Sequence, residues 1–228
     1  MVNPHSSSGL IARLRQSLAV FRRRYSPPQP QILIVVEGPN DIEFLRRISA
    51  ILHREDPSLP DLADMERRLA LIFVPSGGVD LSTAFRFAGL GLPEFHLLDR
   101  DIPPATQIRQ QVATMVNSRA NCRAVITSKR SLENYLHPNA VLEASGVEVA
   151  ITDDENVPEL AARKVNERHA SGVPWDELPA RVRKRLCYKA KKWLNTRAVD
   201  QMTAARLAER DGGEVCSWLA TIAALRGR

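Results

Sequence analysis

Gln31-Ile32-Leu33-Ile34-Val35-Val36-Glu37-Gly38-Pro39-Asn40-Asp41 decides the fold class of this 228-residue chain. Gln31 to Val36 is a continuous apolar, largely β-branched run without polar alternation, the pattern of a strand covered on both faces of a parallel sheet. Glu37-Gly38-Pro39-Asn40 ends it, and helical spacing of apolar residues follows from Asp41 to about His53.

The alternation continues downstream. Leu69 to Val74 reads as a second strand, followed by Pro75-Ser76-Gly77-Gly78 and a helix from about Val79 to Gly89. Glu94 to Leu98 reads as a third strand, closed by Asp99-Arg100-Asp101 and a Pro-Pro break. A helix from about Ala105 to Ser118 and a strand from Arg123 to Thr127 complete the series. Strands alternating with helices predict an α/β fold, a doubly wound parallel sheet flanked by helices, over residues 31–150. Val147 to Ile151 is expected to add a strand, and Thr152 to Asn156 a polar loop. Glu159 to His169, Pro179 to Asn195, Thr203 to Arg210 and Gly213 to Leu225 read as helices, a helical and basic extension over 151–228. Upstream, Leu10, Ile11, Leu14, Leu18 and Phe21 lie near helical spacing among arginines within Ser8 to Tyr25. Ser26-Pro27-Pro28-Gln29-Pro30 then acts as a stiff linker, so residues 1–30 read as a basic N-terminal helix and linker, either a docking helix or a basic tail.

The formal charge is +6, and its distribution carries more than its size. From Ala161 onward there are fifteen Lys/Arg against seven Asp/Glu, so the first 160 residues are slightly acidic and the basic surplus lies in the last third. That asymmetry suits a polyanionic partner. Aromatic residues make up only 5%, which weighs against a single-strand binder built on a platform of stacked rings. Cys122, Cys187 and Cys216 are odd in number and far apart, which argues against a disulfide framework or a zinc site and fits a reducing cytosol. No apolar run approaches the ~20 residues that span a bilayer, so a cytoplasmic protein without a membrane partner is expected.

Five acidic residues fall where strands end. Glu37 closes the first strand and Asp41 opens the helix after it; Asp99 and Asp101 close the third; Glu133 follows the fourth. Ligands of open α/β sheets collect beyond the carboxyl ends of the strands, near a topological switch point. Residues i and i+2 of a strand point to one face, so Asp99 and Asp101 can present both carboxylates to one ion while strand geometry persists. Carboxylates this close raise one another's pKa unless a cation neutralises them, and Mg2+ is a hard ion that takes oxygen ligands. Each residue alone has a plainer reading: Glu37 and Asp41 also suit the positive end of the following helix. The Asp99-Arg100-Asp101 strand end is shared with haloacid-type phosphatases and nucleotide-sugar glycosyltransferases, although Pro103 stands where those phosphatases have Thr or Ser.

The combination is more specific. Val35-Val36-Glu37-Gly38-Pro39-Asn40-Asp41 resembles the EGxxD signature of TOPRIM domains, and Leu98-Asp99-Arg100-Asp101 resembles their DxD motif about sixty residues downstream. Pro75-Ser76-Gly77-Gly78 lies where the family often has a glycine turn. The resemblance spans Gln31 to Tyr135. Within that group Lys129-Arg130-Ser131-Leu132-Glu133-Asn134-Tyr135-Leu136 is similar to the Glu-Asn-Tyr segment of OLD-family nucleases, whose glutamate joins the metal site. The DxD runs on into Ile102-Pro103-Pro104 without the glycine common in primases and topoisomerases, which speaks against religation or primer synthesis. Neither Tyr135 nor Tyr188 is an obvious strand-transfer nucleophile, though both stay open.

The resemblance implies a TOPRIM-like Rossmannoid sheet and a Mg2+-dependent (or Mn2+-dependent) endonuclease acting on DNA or RNA. Glu37, Asp41, Asp99, Asp101 and Glu133 would hold one or two ions. It also implies a basic residue near the scissile phosphate, with Lys192 preferred over Lys191 from the run Lys189-Ala190-Lys191-Lys192; the plainer reading of each lysine is a solvated helix face. Lys129, Arg130, Lys189, Lys191 and Lys192 are the expected nucleic-acid contacts. No Gly-x-x-x-x-Gly-Lys-Ser/Thr phosphate loop occurs, so the family's ABC-type ATPase is not expected in this chain: its role falls to a separate protein, or the nuclease works without one, or the chain is a remnant, with a homo-oligomer also open. The alternatives are a non-catalytic nucleic-acid-binding or regulatory subunit working with that ATPase, and a phosphate- or sugar-transfer enzyme using the DxD alone.

Overall fold

The computed structural model describes residues 31–168 and 173–226. The Ser8–Tyr25 segment, the proline-rich linker and His169 lie outside them.

Strand β1 (Ile32–Val36) is wholly buried, as its unbroken apolar run requires. It pairs in parallel with β2 (Leu71–Pro75) on one side and β3 (Glu94–Leu98) on the other, and β3 pairs in parallel with β4 (Cys122–Ile126). The order β2-β1-β3-β4 puts the switch point between β1 and β3, where successive crossovers leave in opposite directions. The carboxyl ends of those two strands are the ones that carry Glu37 and Asp99.

Helix α1 (Pro39–Glu55) lays Ile42, Leu45, Ile48 and Leu52 against one face of the sheet, a stripe at helical spacing. The short α2 (Leu62–Arg67), capped by the Asp61 carboxylate accepting from Asp64 N (3.0 Å), leads into β2. On the opposite face α3 (Ala105–Asn117) buries Val112, Ala113 and Val116 against Leu98 and Ala124. Helices α4 (Pro138–Ser145), α5 (Val157–Arg168), α6 (Ala180–Trp193), α7 (Ala204–Asp211) and α8 (Glu214–Arg226) complete the α1 side. Their core residues, Ala161, Leu194, Leu207, Trp218 and Ile222 among them, form one apolar cluster with Ile32, Ile34 and Phe95 of the sheet. The result is a layered α/β fold. Among the described residues no helix is long and apolar enough to cross a membrane.

Two sequence expectations fail. The helix expected from Val79 to Gly89 is a pair of short 3-10 turns, Leu81–Ala84 and Ala88–Leu90. Leu81, Phe85 and Leu90 are exposed, so no continuous buried stripe exists to hold a longer helix together. Among the described residues Val147 to Ile151 pairs with no strand. Val147, Val149 and Ile151 are buried with exposed residues between them, so the alternation records an extended chain lying on the core, not a hydrogen-bonded ladder. Helices α2 and α4 are additions to the sequence reading.

Candidate functional site

The five acidic residues converge at the carboxyl end of the sheet, in two tiers. Asp41, in the first turn of α1, is buried. Its Oδ2 accepts the Gly38 amide (2.8 Å), while its Oδ1 has no hydrogen-bond donor. Glu133 is also buried, on a 3-10 turn (Leu132–Tyr135) after β4. Its Oε2 accepts from Ser131 Oγ (2.7 Å), and its Oε1 from Asn195 Nδ2. Asp99 completes this inner tier, buried just past the end of β3.

The outer tier is Glu37 and Asp101. The buried Arg109 of α3 joins them, its Nη2 lying 3.3 Å from Glu37 Oε2 and 3.2 Å from Asp101 Oδ2. Asp101 does not share a strand face with Asp99, as the i, i+2 argument expected. The strand ends at Leu98, and Asp101 adopts φ +55°, a left-handed conformation that aspartate tolerates better than most residues. Its amide donates to Arg130 O (2.8 Å) and its Oδ1 accepts from Ile102 N (2.9 Å), so the turn is held at both ends. Strained backbone of this kind concentrates at functional sites. Even so, Glu37, Asp99, Asp101 and Glu133 line one open cleft of about 350 Å³.

Lys191 stands inside the cluster. Its Nζ lies 3.7 Å from both Asp41 Oδ1 and Glu133 Oε1. Glu133 above all, then Asp41, Asp99 and Glu37, hold its ammonium well above the usual lysine range, against the opposing effect of burial. It is therefore a fixed cation and not a proton shuttle. The carboxyls shift the same way for a different reason. Burial, only partly offset by Lys191, pushes Asp41 up to about 6. Burial, then Asp41 and Glu133, push Asp99 well above the ordinary carboxylate range.

These features fit a hard divalent ion in donor type and in charge: oxygen ligands only, a buried carboxylate oxygen without a donor, and carboxyls that one ammonium does not neutralise. They do not form a ready-made ligand set. Among the described residues no group of three His, Cys, Asp or Glu side chains is placed to hold an ion, and the Lys191 ammonium lies between Asp41 and Glu133.

The expected basic residues divide. Lys191 reaches the carboxylates, whereas Lys192, preferred from sequence, is exposed one residue further round the helix. Lys189 lines a separate apolar cavity with Trp193 and Ala190. Lys129 is buried, paired with Asp153, its ammonium 5.6 Å from the Tyr135 ring centroid, so it braces the fold instead of facing a phosphate. Arg130 lines the cleft, its Nε 4.0 Å from Asp101 Oδ1. Tyr135 is excluded as a nucleophile: it is buried, its hydroxyl donates to Glu214 Oε2 (2.6 Å), and burial and Glu214 raise its pKa.

Three site residues escaped the sequence reading. Arg109 sits in the stripe 109/112/113/116, the buried face of α3, and a charged residue in such a stripe is the signal that marks it. Asn195 and Lys184 carried no comparable signal.

No protein-family model matches the chain, and no curated protein does. Among the solved structures it resembles are C-terminal regions of OLD proteins. That of Burkholderia pseudomallei shares 12% identity over 87% of this chain and 98% of its own, with a TM-score of 0.49. One from Xanthomonas campestris pv. campestris shares 12% over 87% of this chain and 95% of its own, with a TM-score of 0.44.

Proposed function

We propose that the chain is a divalent-ion-dependent nuclease that hydrolyses phosphodiester bonds, DNA being the first substrate to test. The observation that carries this reading is the meeting of carboxylates from the ends of β1 and β3 and from the Glu133 turn with Lys191 in one cleft, with Asp41 of α1 also 3.7 Å from the Lys191 ammonium. Glu37, Asp41, Asp99, Asp101 and Glu133 would hold Mg2+ or Mn2+, one ion or two. A bound ion would supply charge neutralisation and a water made acidic enough to lose its proton near neutral pH. Lys191, always protonated, offsets negative charge on the phosphate oxygens. Arg109 keeps Glu37 and Asp101 together, and Arg130 meets a flanking phosphate.

Nicking of supercoiled plasmid and cleavage of labelled strands in Mg2+ or Mn2+ test the reading. Asp99→Asn keeps the shape and removes the charge, so cleavage should fall about 100-fold or more. Equal rates for the two proteins, batch after batch, would sink it. A second reading is favoured by the lack of a ready-made ligand set: a nucleic-acid-binding subunit whose ion site is completed only with a separate ATPase partner. It predicts activity in the mixture and none in the chain alone. The DxD transfer-enzyme alternative predicts full ion affinity after Glu37→Ala.

A further inference from the structure

One wall of the cleft is a face of α6, and its side chains alternate in kind. Lys184, Tyr188 and Lys191 follow at spacings of four and three residues, so they share that face, and all three line the cleft. Tyr188 is 62% exposed. A large exposed ring between two cations, in a cleft that also holds buried carboxylates, is an arrangement that a nucleic-acid strand satisfies: the ring takes one base face and the cations take phosphates further along the strand.

The dimensions narrow the substrate. A cleft of about 350 Å³ is near the lower end for small-molecule sites, which run from roughly 300 to 1,000 Å³. It has room for a nucleotide unit. Asp99 and Glu133 line it and are buried, and a base face meets Tyr188 only where that base is unpaired and out of the duplex stack. Lys184 stands about 10 Å along the helix axis from Lys191, at ~1.5 Å per residue. That is about three nucleotides of a stacked strand at ~3.4 Å each.

We infer that Tyr188 stacks on a base of an unpaired nucleic-acid strand and so sets the adjacent phosphate over Asp99 and Lys191. This rests on the nuclease reading and names its substrate class: single strands, or duplexes frayed at the site. The low aromatic content speaks against a platform of many stacked rings, and stacking on Tyr188 needs one ring for one base.

Anisotropy of labelled DNA and RNA oligonucleotides, with Ca2+ replacing Mg2+ to allow binding without cutting, tests it. Wild type should bind single strands and tailed duplexes more tightly than blunt duplex. Tyr188→Ala should lose roughly 5- to 150-fold in single-strand affinity and leave blunt-duplex affinity unchanged, while Tyr188→Trp keeps both. The DNA and RNA arms identify the sugar. Because the residue is exposed, an unchanged melting temperature for Tyr188→Ala is expected and checks that the fold persists. Equal loss on both substrates, or no loss on either, overturns the stacking role while leaving the nuclease reading intact. A wild type that binds and cuts no nucleic acid of any form overturns the nuclease reading, and this inference with it.

Discussion

Asp41 accepts the Gly38 amide through one oxygen and buries the other without a donor, so its carboxyl titrates at about 6 instead of 3.8. The folded state therefore holds the proton more tightly than the unfolded chain. The stability this group contributes is full below pH 3.8 and is lost as pH rises through about 6. A difference of about two pH units corresponds to about 3 kcal/mol. Asp41→Asn should accordingly raise the melting temperature in chelator at pH 8 and change little at pH 4. Added Mg2+ should stabilise the wild type and not the variant. A lower melting temperature for Asp41→Asn at pH 8 in chelator would show that the ionised carboxylate is not under strain. Glu37, Asp41 and Asp99 were legible in the sequence because strand ends announce themselves: an unbroken apolar run stops at an acid. Lys191 was not separable from Lys192. Adjacent residues of a helix point about 100° apart, and which of them faces the carboxylates depends on which side of α6 is buried. The stripe of α6 is too basic to show that.

At the scale of elements, the end of α6 is the less regular part. The sequence expects one helix through Asn195, but α6 passes at Trp193 into a π turn, Leu194–Ala198. Such turns are rare and recur at functional sites. Here the turn brings Asn195 Nδ2 to both Glu133 Oε1 and Lys191 O, coupling the turn after β4 to the helix that carries the cation. Nothing in residue type predicts a widened turn, because it is the partner on another element that stabilises it. Asn195→Ala leaves a buried carboxylate short of its amide donor, and a loss of about 1–3 kcal/mol in stability is expected from urea unfolding. An unchanged midpoint would mean that water or Lys191 takes over the bond. The same reasoning explains the failed expectations. The 79–89 stretch has helical spacing on paper, yet Leu81 and Phe85 stay about half exposed and bury no continuous stripe.

At the scale of the molecule, the core brings α8 against the start of the sheet, where Arg226 Nε donates to Gln31 Oε1 (2.7 Å). The acidic strand ends and the basic α6 face one another across the cleft because α8 closes the core behind them. Val215, Trp218, Leu219, Ile222 and Leu225 of α8 are buried, and the Trp218 ring meets Tyr135 edge-on at 5.3 Å between centroids. Glu214, at the start of α8, accepts the Tyr135 hydroxyl and the Ser128 amide (2.9 Å), which fixes the turn carrying Glu133. Burying five large apolar side chains contributes about 1.5–3 kcal/mol each. Together that is comparable with the whole stability of a domain, about 5–15 kcal/mol. A chain ending at residue 213 should therefore show no cooperative thermal transition, and Trp218→Ala alone should lose about 3–5 kcal/mol. The division drawn from sequence at residue 150 then separates two kinds of sequence and not two folding units, and a fragment of residues 31–150 should not melt cooperatively either. If the chain ending at residue 213 melts cooperatively near the full chain's temperature and still binds Mn2+, α8 is an appendage and the Glu133 turn is held by something other than Glu214.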